Sequence, residues 1–128
     1  MTADGDSVAV RGLDDLTGTW VTIAGPLAPA EVLGTVGMTF TDGRVFVATG
    51  CNTARGGVAV EDGRLVADHL ASTRMICEPG LMAQEDWLVS MLTSRPRLER
   101  AGSELTLLWG EGERWRLVLR LEPADATA

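Results

Sequence analysis

Two cysteines and one histidine are the residues best equipped for chemistry in this 128-residue chain. Cys51 or Cys77 could act as a thiol nucleophile if the imidazole of His69 lay within hydrogen-bond reach and a third group oriented it. One histidine and two cysteines also occur together by chance in chains of this size. The plainer reading is two packed thiols and an imidazole half exposed on a strand. Metal is a weaker candidate still, because structural zinc takes four ligands and no Cys-x-x-Cys or His-x-x-x-His spacing supplements these three. No catalytic residue is assigned, and neither a metal ion nor another cofactor is expected.

Each cysteine stands at a bend. Cys51 lies in Thr49-Gly50-Cys51-Asn52-Thr53, and Cys77 closes Ser72-Thr73-Arg74-Met75-Ile76-Cys77. Met38 to Val47 reads as strand, Asp42-Gly43 turn, strand, because that dipeptide accepts the positive φ of a tight hairpin. Val58 to Val66 repeats the device around Asp62-Gly63. A hairpin of two short strands returns near where it left, so Cys51 before it and Cys77 after it are expected to adjoin, within the ~7 Å of Cα separation that a disulfide tolerates. Oxidised, they would close a loop worth about 3.5 kcal/mol. In a cytoplasmic chain reduced thiols are the expectation. Asn52 is read as a bend residue, since asparagine tolerates left-handed φ and its amide can bond adjacent backbone.

Gly50-Cys51-Asn52, then Thr73-Arg74-Met75 and Cys77, then Glu85 and a Trp-Leu helix, resemble the META or HslJ-like domain family. Leu16-Thr17-Gly18-Thr19-Trp20 and Glu104-Leu105-Thr106-Leu107 fit the same order, so the resemblance runs from about Leu16 to Leu121. It implies a small bacterial α+β domain, an incompletely closed antiparallel sheet around one helix, seen in exported or stress-associated proteins. The family has no established catalytic residues. What the resemblance implies is therefore a non-enzymatic protein that binds a protein or envelope component, with Gly50, Cys51, Asn52, Thr73, Arg74, Met75 and Cys77 as its motif and the two cysteines as a possible disulfide.

The elements that must hold these bends are legible as periodicities. Thr19 to Ile23 is a first strand, followed by a long loop with room for one helical turn at Pro29 to Leu33. In the first hairpin Met38, Phe40, Val45 and Val47 share a face. A helix is expected from about Leu81 to Thr93, with Leu81, Leu88, Met91 and Leu92 on one stripe and Gln84 and Glu85 away from it. Three strands follow, and in the last Trp115, Leu117, Leu119 and Leu121 oppose Arg114, Arg116 and Arg120. About seven or eight antiparallel strands and one helix make an α+β domain whose sheet curls around the helical stripe. Its bounds are residues 13–121, between a mobile lead-in at 1–12 and a flexible tail at 122–128.

Trp20 and Trp115 are expected in the core, while Trp109 is left open between core and surface because a barrel rim is half wet. Trp20 and Trp109 are the aromatic candidates for a surface or cleft, and Gly18-Thr19-Trp20 is similar to the Gly-x-Trp signature of lipocalins. A small apolar ligand carried between sheet and helix is accordingly the alternative function.

Net charge of −7, from 11 basic and 18 acidic side chains, argues against nucleic acid. All the basic residues are arginine, which excludes chemistry that depends on a lysine amine. No apolar run approaches the ~18 residues of a membrane span. The start, Met1-Thr2-Ala3-Asp4-Gly5-Asp6-Ser7, is acidic and lacks a signal peptide's pattern, so the chain as written is expected in the cytoplasm, and exported if the true start lies upstream. A monomer is expected.

Overall fold

The computed structural model describes residues 8–22, 28–29, 31–67, 69–73 and 75–122. Its strands are β1 (Val8–Ala9), β2 (Gly18–Thr22), β3 (Gly37–Thr41), β4 (Arg44–Ala48), β5 (Thr53–Gly57), β6 (Ala59–Glu61), β7 (Arg64–Val66) and β8 (Ala71–Ser72), then β9 (Arg97–Ala101), β10 (Glu104–Trp109) and β11 (Trp115–Leu121). The helix α1 (Pro79–Thr93) stands between β8 and β9. All pairings are antiparallel, in the order β6-β7-β9-β10-β11-β2-β3-β4-β5-β8, with β1 added against β9 off that path. The result is a curled, open sheet with one helix.

Ten strands on one path exceed the seven or eight that the pattern suggests. The excess is informative in β5, Thr53-Ala54-Arg55-Gly56-Gly57, whose composition carries little strand propensity. Five cross-strand pairs with β4 impose the extended form. Gly56 is required there, since a Cβ would lie 2.3 Å from the carbonyl oxygen of His69. β5 lies beside the edge strand β8, yet its chain runs straight on through Val58 into β6, the opposite edge. The opening of the sheet is thus spanned by covalent chain.

Both hairpin turns take the predicted form, with positive φ at Asp42, Gly43, Asp62 and Gly63. Met38, Phe40, Val45 and Val47 are buried, as are Leu117 and Leu119 of β11. Together with Leu98, Leu105, Leu107 and the helical Leu88, Met91 and Leu92 they form one core cluster. The helical stripe needs two corrections. Leu81 is only half buried, and Gln84, expected outside the stripe, is 1% exposed. Position 84 lies four residues before Leu88 and so on the same face; residue type masked its place.

Val8 and Ala9, read as lead-in, pair with Arg100 and Glu99, and Val10 is buried. Asp14, Asp15 and Leu16 belong to a 3-10 helix at Leu13–Leu16. No helical turn forms among the described residues of the stretch from Pro29 to Leu33. Ile23, Arg74 and most of the C-terminal tail lie outside the described residues.

Candidate functional site

The bend after β4 is built on one hydroxyl. Thr49 Oγ1 accepts the backbone N–H of Cys51 at 3.2 Å and of Asn52 at 3.1 Å, and donates to the Asn52 carbonyl at 2.8 Å. Gly50 takes the left-handed conformation there, φ 97°, and a Cβ on it would press on Leu81 Cδ2 at 3.1 Å and Gln84 Nε2 at 3.3 Å. The positive φ expected of Asn52 therefore belongs to Gly50. Asn52 is instead buried and serves as a hub.

Its Oδ1 accepts the Met75 N–H and the Thr73 hydroxyl, both at 2.7 Å. Its Nδ2 donates to Glu85 Oε1 at 2.9 Å and to the Met75 carbonyl at 3.2 Å. Thr73 returns the contact through its backbone, donating to the Thr53 carbonyl at 3.2 Å, while its hydroxyl accepts from the Thr53 N–H at 3.2 Å. One residue thus ties the second bend to the first turns of α1. Next to Glu85 on the helix, Gln84 bonds both backbone groups of Leu33, at 2.7 and 3.1 Å, and donates to the Thr49 carbonyl at 2.8 Å.

Cys51 and Cys77 close the same assembly as a disulfide, with Cα atoms 5.9 Å apart. Free thiols, the expectation for a cytoplasmic chain, are not what the structure has. The bond removes both nucleophiles from the thiol-base arrangement. His69 is exposed and outside the strands, its carbonyl against Gly56. Among the described residues no three of His, Cys, Asp and Glu gather as a metal site.

Of the two tryptophans expected in the core, Trp20 is there and Trp115 is only half buried. Trp20 is fully buried, its Nε1–H donating to the Leu16 carbonyl at 2.8 Å, so it offers neither surface nor cleft. Trp109, left open by the sequence, is 9% exposed and stacks on Trp87 of α1 with ring centres 6.0 Å apart. Trp115, its cross-strand partner, is half buried, with the Arg114 guanidinium 4.7 Å from the ring centre. The alternation Leu105, Leu107, Trp109 carried the signal for burying Trp109.

What sequence reasoning missed is the apolar surface that the bends present. Ile76 is 91% exposed, Met75 62% and Met82 42%, the exposed large hydrophobic side chains among the described residues. Met75 is held by Asn52, and Ile76 stands between it and the disulfide at Cys77. Beside the bend, a cavity of about 160 Å³ is lined by Thr53, Arg55, Ala71, Ser72 and Thr73. A wider groove of about 430 Å³ lies at the opening of the sheet, lined by Gly43, Gly57, Val58, Ala59, Glu61, Val66 and His69.

A bidentate ion pair lies elsewhere among the described residues. Arg97 bonds Glu113 through two nitrogens, at 2.8 and 2.9 Å, and also pairs with Glu99. The hydrogen bonds to Glu113 and then Glu99 raise the guanidinium above its ordinary pKa. Those from Arg97 hold the Glu113 carboxyl below the usual carboxylate value.

Known proteins supply the fold's relations. A solved NMR structure of a protein from Burkholderia xenovorans is 22% identical, covers 86% of this chain and 86% of its own, and superposes with a TM-score of 0.70. A second NMR structure is 21% identical over 100% of this chain and 99% of its own, with a TM-score of 0.67. At these identities the likeness is one of fold. No curated protein matches the chain. The family model of the META domain matches residues 14–122, which takes in both bends, the helix and the three strands after it. The chain belongs to the META domain family.

Proposed function

We propose that this META domain is a non-enzymatic, stress- or envelope-associated binding module, whose contact surface for a protein or envelope component is the apolar bend at Met75 and Ile76 with Met82 beside it. The observation that carries the reading is the combination of exposure and anchoring. An isoleucine 91% exposed is costly in water unless something covers it. Here its backbone neighbours are pinned by Asn52 on one side and the disulfide on the other. A partner meeting such a bend orders little on binding, which is how preorganisation raises affinity. The bonded cysteines favour an oxidising compartment for this role, and the apolar ligand carrier draws no comparable support from the packed core.

The experiment is site-specific photo-crosslinking from position 76, with a control crosslinker at Thr106 on the far side of the sheet. Under the binding reading one adduct of reproducible mass forms from position 76 alone, and excess unlabelled protein competes it away. Organic extracts analysed by mass spectrometry test the alternative, since a stoichiometric lipid would establish the carrier. Rapid iodoacetamide labelling of Cys51 or Cys77 at neutral pH would revive the thiol enzyme.

A further inference from the structure

Resting on that reading, we infer that the partner of the Met75, Ile76 and Met82 surface is a cationic amphipathic segment of another protein, apolar on one face and rich in Lys or Arg around it. The inference comes from what surrounds the three apolar side chains. Met82 sits on α1 with Glu78 four residues before it and Asp86 four residues after it, and its N–H bonds the Glu78 carbonyl at 3.0 Å, so the three lie on one exposed stripe. Glu85 is on the neighbouring face, its carboxylate 2.9 Å from the Asn52 amide. Glu31 is exposed on the loop that Gln84 holds through Leu33. Glu78, Asp86 and Glu85 are thus the carboxylates on and beside the helix next to the patch. Arg55 lines the cavity beside the bend and Arg74 precedes Met75 in the sequence, so carboxylates still outnumber arginines around the patch.

That rim decides between occupants. Anionic lipid headgroups would meet the like charges of Glu78, Asp86 and Glu85, which costs binding at the short range where screening is weak. An acidic protein surface fails for the same reason. A cationic rim on the partner turns each of these contacts favourable and speeds the encounter. Two of the three apolar contacts are methionines, whose unbranched, polarisable side chains adapt to the varied packing of a helix laid across them.

The probe is a synthetic helix-forming peptide of about 18 residues, leucine on one stripe and lysine elsewhere, with a leucine-glutamate twin as control. Each is titrated into the full chain carrying isotope-labelled methionine methyls. The expected result is that the lysine peptide shifts the Met75 and Met82 methyls, with affinity falling steeply between about 50 and 300 mM salt. Ile76→Ser should weaken it about tenfold or more. The pair Glu78→Gln and Asp86→Asn should weaken it about threefold to tenfold and flatten the salt dependence. All three positions are exposed, so circular dichroism should show unchanged folds.

Vesicles of phosphatidylcholine and phosphatidylglycerol that bind through Ile76 more tightly than the lysine peptide would overturn the inference in favour of a membrane. Self-association abolished by Ile76→Ser would overturn it in favour of a second copy. If the glutamate twin shifts the two methyls as strongly, the cationic partner is wrong while the binding surface stands. If neither peptide shifts them and no adduct forms from position 76, the binding surface itself is wrong.

Discussion

The carboxamide of Asn52 meets the backbone of Met75 as a neighbouring strand would, accepting its N–H at 2.7 Å and donating to its carbonyl at 3.2 Å. A side chain here does the work of a ladder. Because both groups of the amide are used, neither alanine nor aspartate can replace it. Asn52→Ala should cost about 1 to 3 kcal/mol by leaving the Met75 and Thr73 groups short of partners. Asn52→Asp keeps the acceptor, loses the donor, and sets a carboxylate against Glu85, so it should cost at least as much. Urea unfolding followed by tryptophan fluorescence reads both, and an aspartate variant as stable as wild type would remove Asn52 from the hub.

Reduction of the disulfide tests the clasp from its covalent side. The bond joins residues 26 positions apart, and the chain-entropy model gives about 3.5 kcal/mol for a loop of that size. Wild type should lose that stability in a phosphine reductant, and Cys51→Ser with Cys77→Ser should show the same lowered urea midpoint with or without it. A midpoint insensitive to reductant would mean that Asn52 and its partners hold the bends unaided.

On the inner face of α1 the two kinds of buried contact can be separated. Leu88→Ala should cost about 2 to 5 kcal/mol as a cavity in the core. Gln84→Leu keeps the volume yet strands the Thr49 carbonyl and both backbone groups of Leu33, and should cost about 2 to 3 kcal/mol. If Gln84→Leu were neutral, the loop at Leu33 would not depend on the helix.

Acid sensitivity should report the Arg97 and Glu113 pair. The hydrogen bonds from Arg97 lower the Glu113 pKa from its ordinary value of 4.5 in the folded protein, so the unfolded chain binds that proton more readily. The pair's contribution is complete above that ordinary value and is lost as pH falls below it through the folded pKa. Urea midpoints measured from pH 6 down to pH 3 should therefore fall more steeply for wild type than for Glu113→Gln, with a constant gap at the upper end. Parallel profiles would show that the pair forms equally in the unfolded chain.

Both Asp-Gly hairpins, the inward face of β11, the helix and the order of the two bends could be read from residue types and periods of two and 3.6. Those signals are local: a turn needs its own dipeptide, and an amphipathic element declares which side faces a core. They do not say what lies across from it. Asn52 and Met75 are 23 residues apart and Thr49 and Gln84 are 35 apart, so their pairing exists only once the sheet has curled and laid α1 against the bends. The same holds for β5, a strand because β4 offers it partners. The sequence by itself determined the two Asp-Gly hairpins, the helix and the inward face of the last strand, since these follow from propensity and hydrophobic period. Only the tertiary structure decided that a glutamine joins the core and that an isoleucine beside a disulfide stays in water, because burial of one residue depends on what distant chain packs against it.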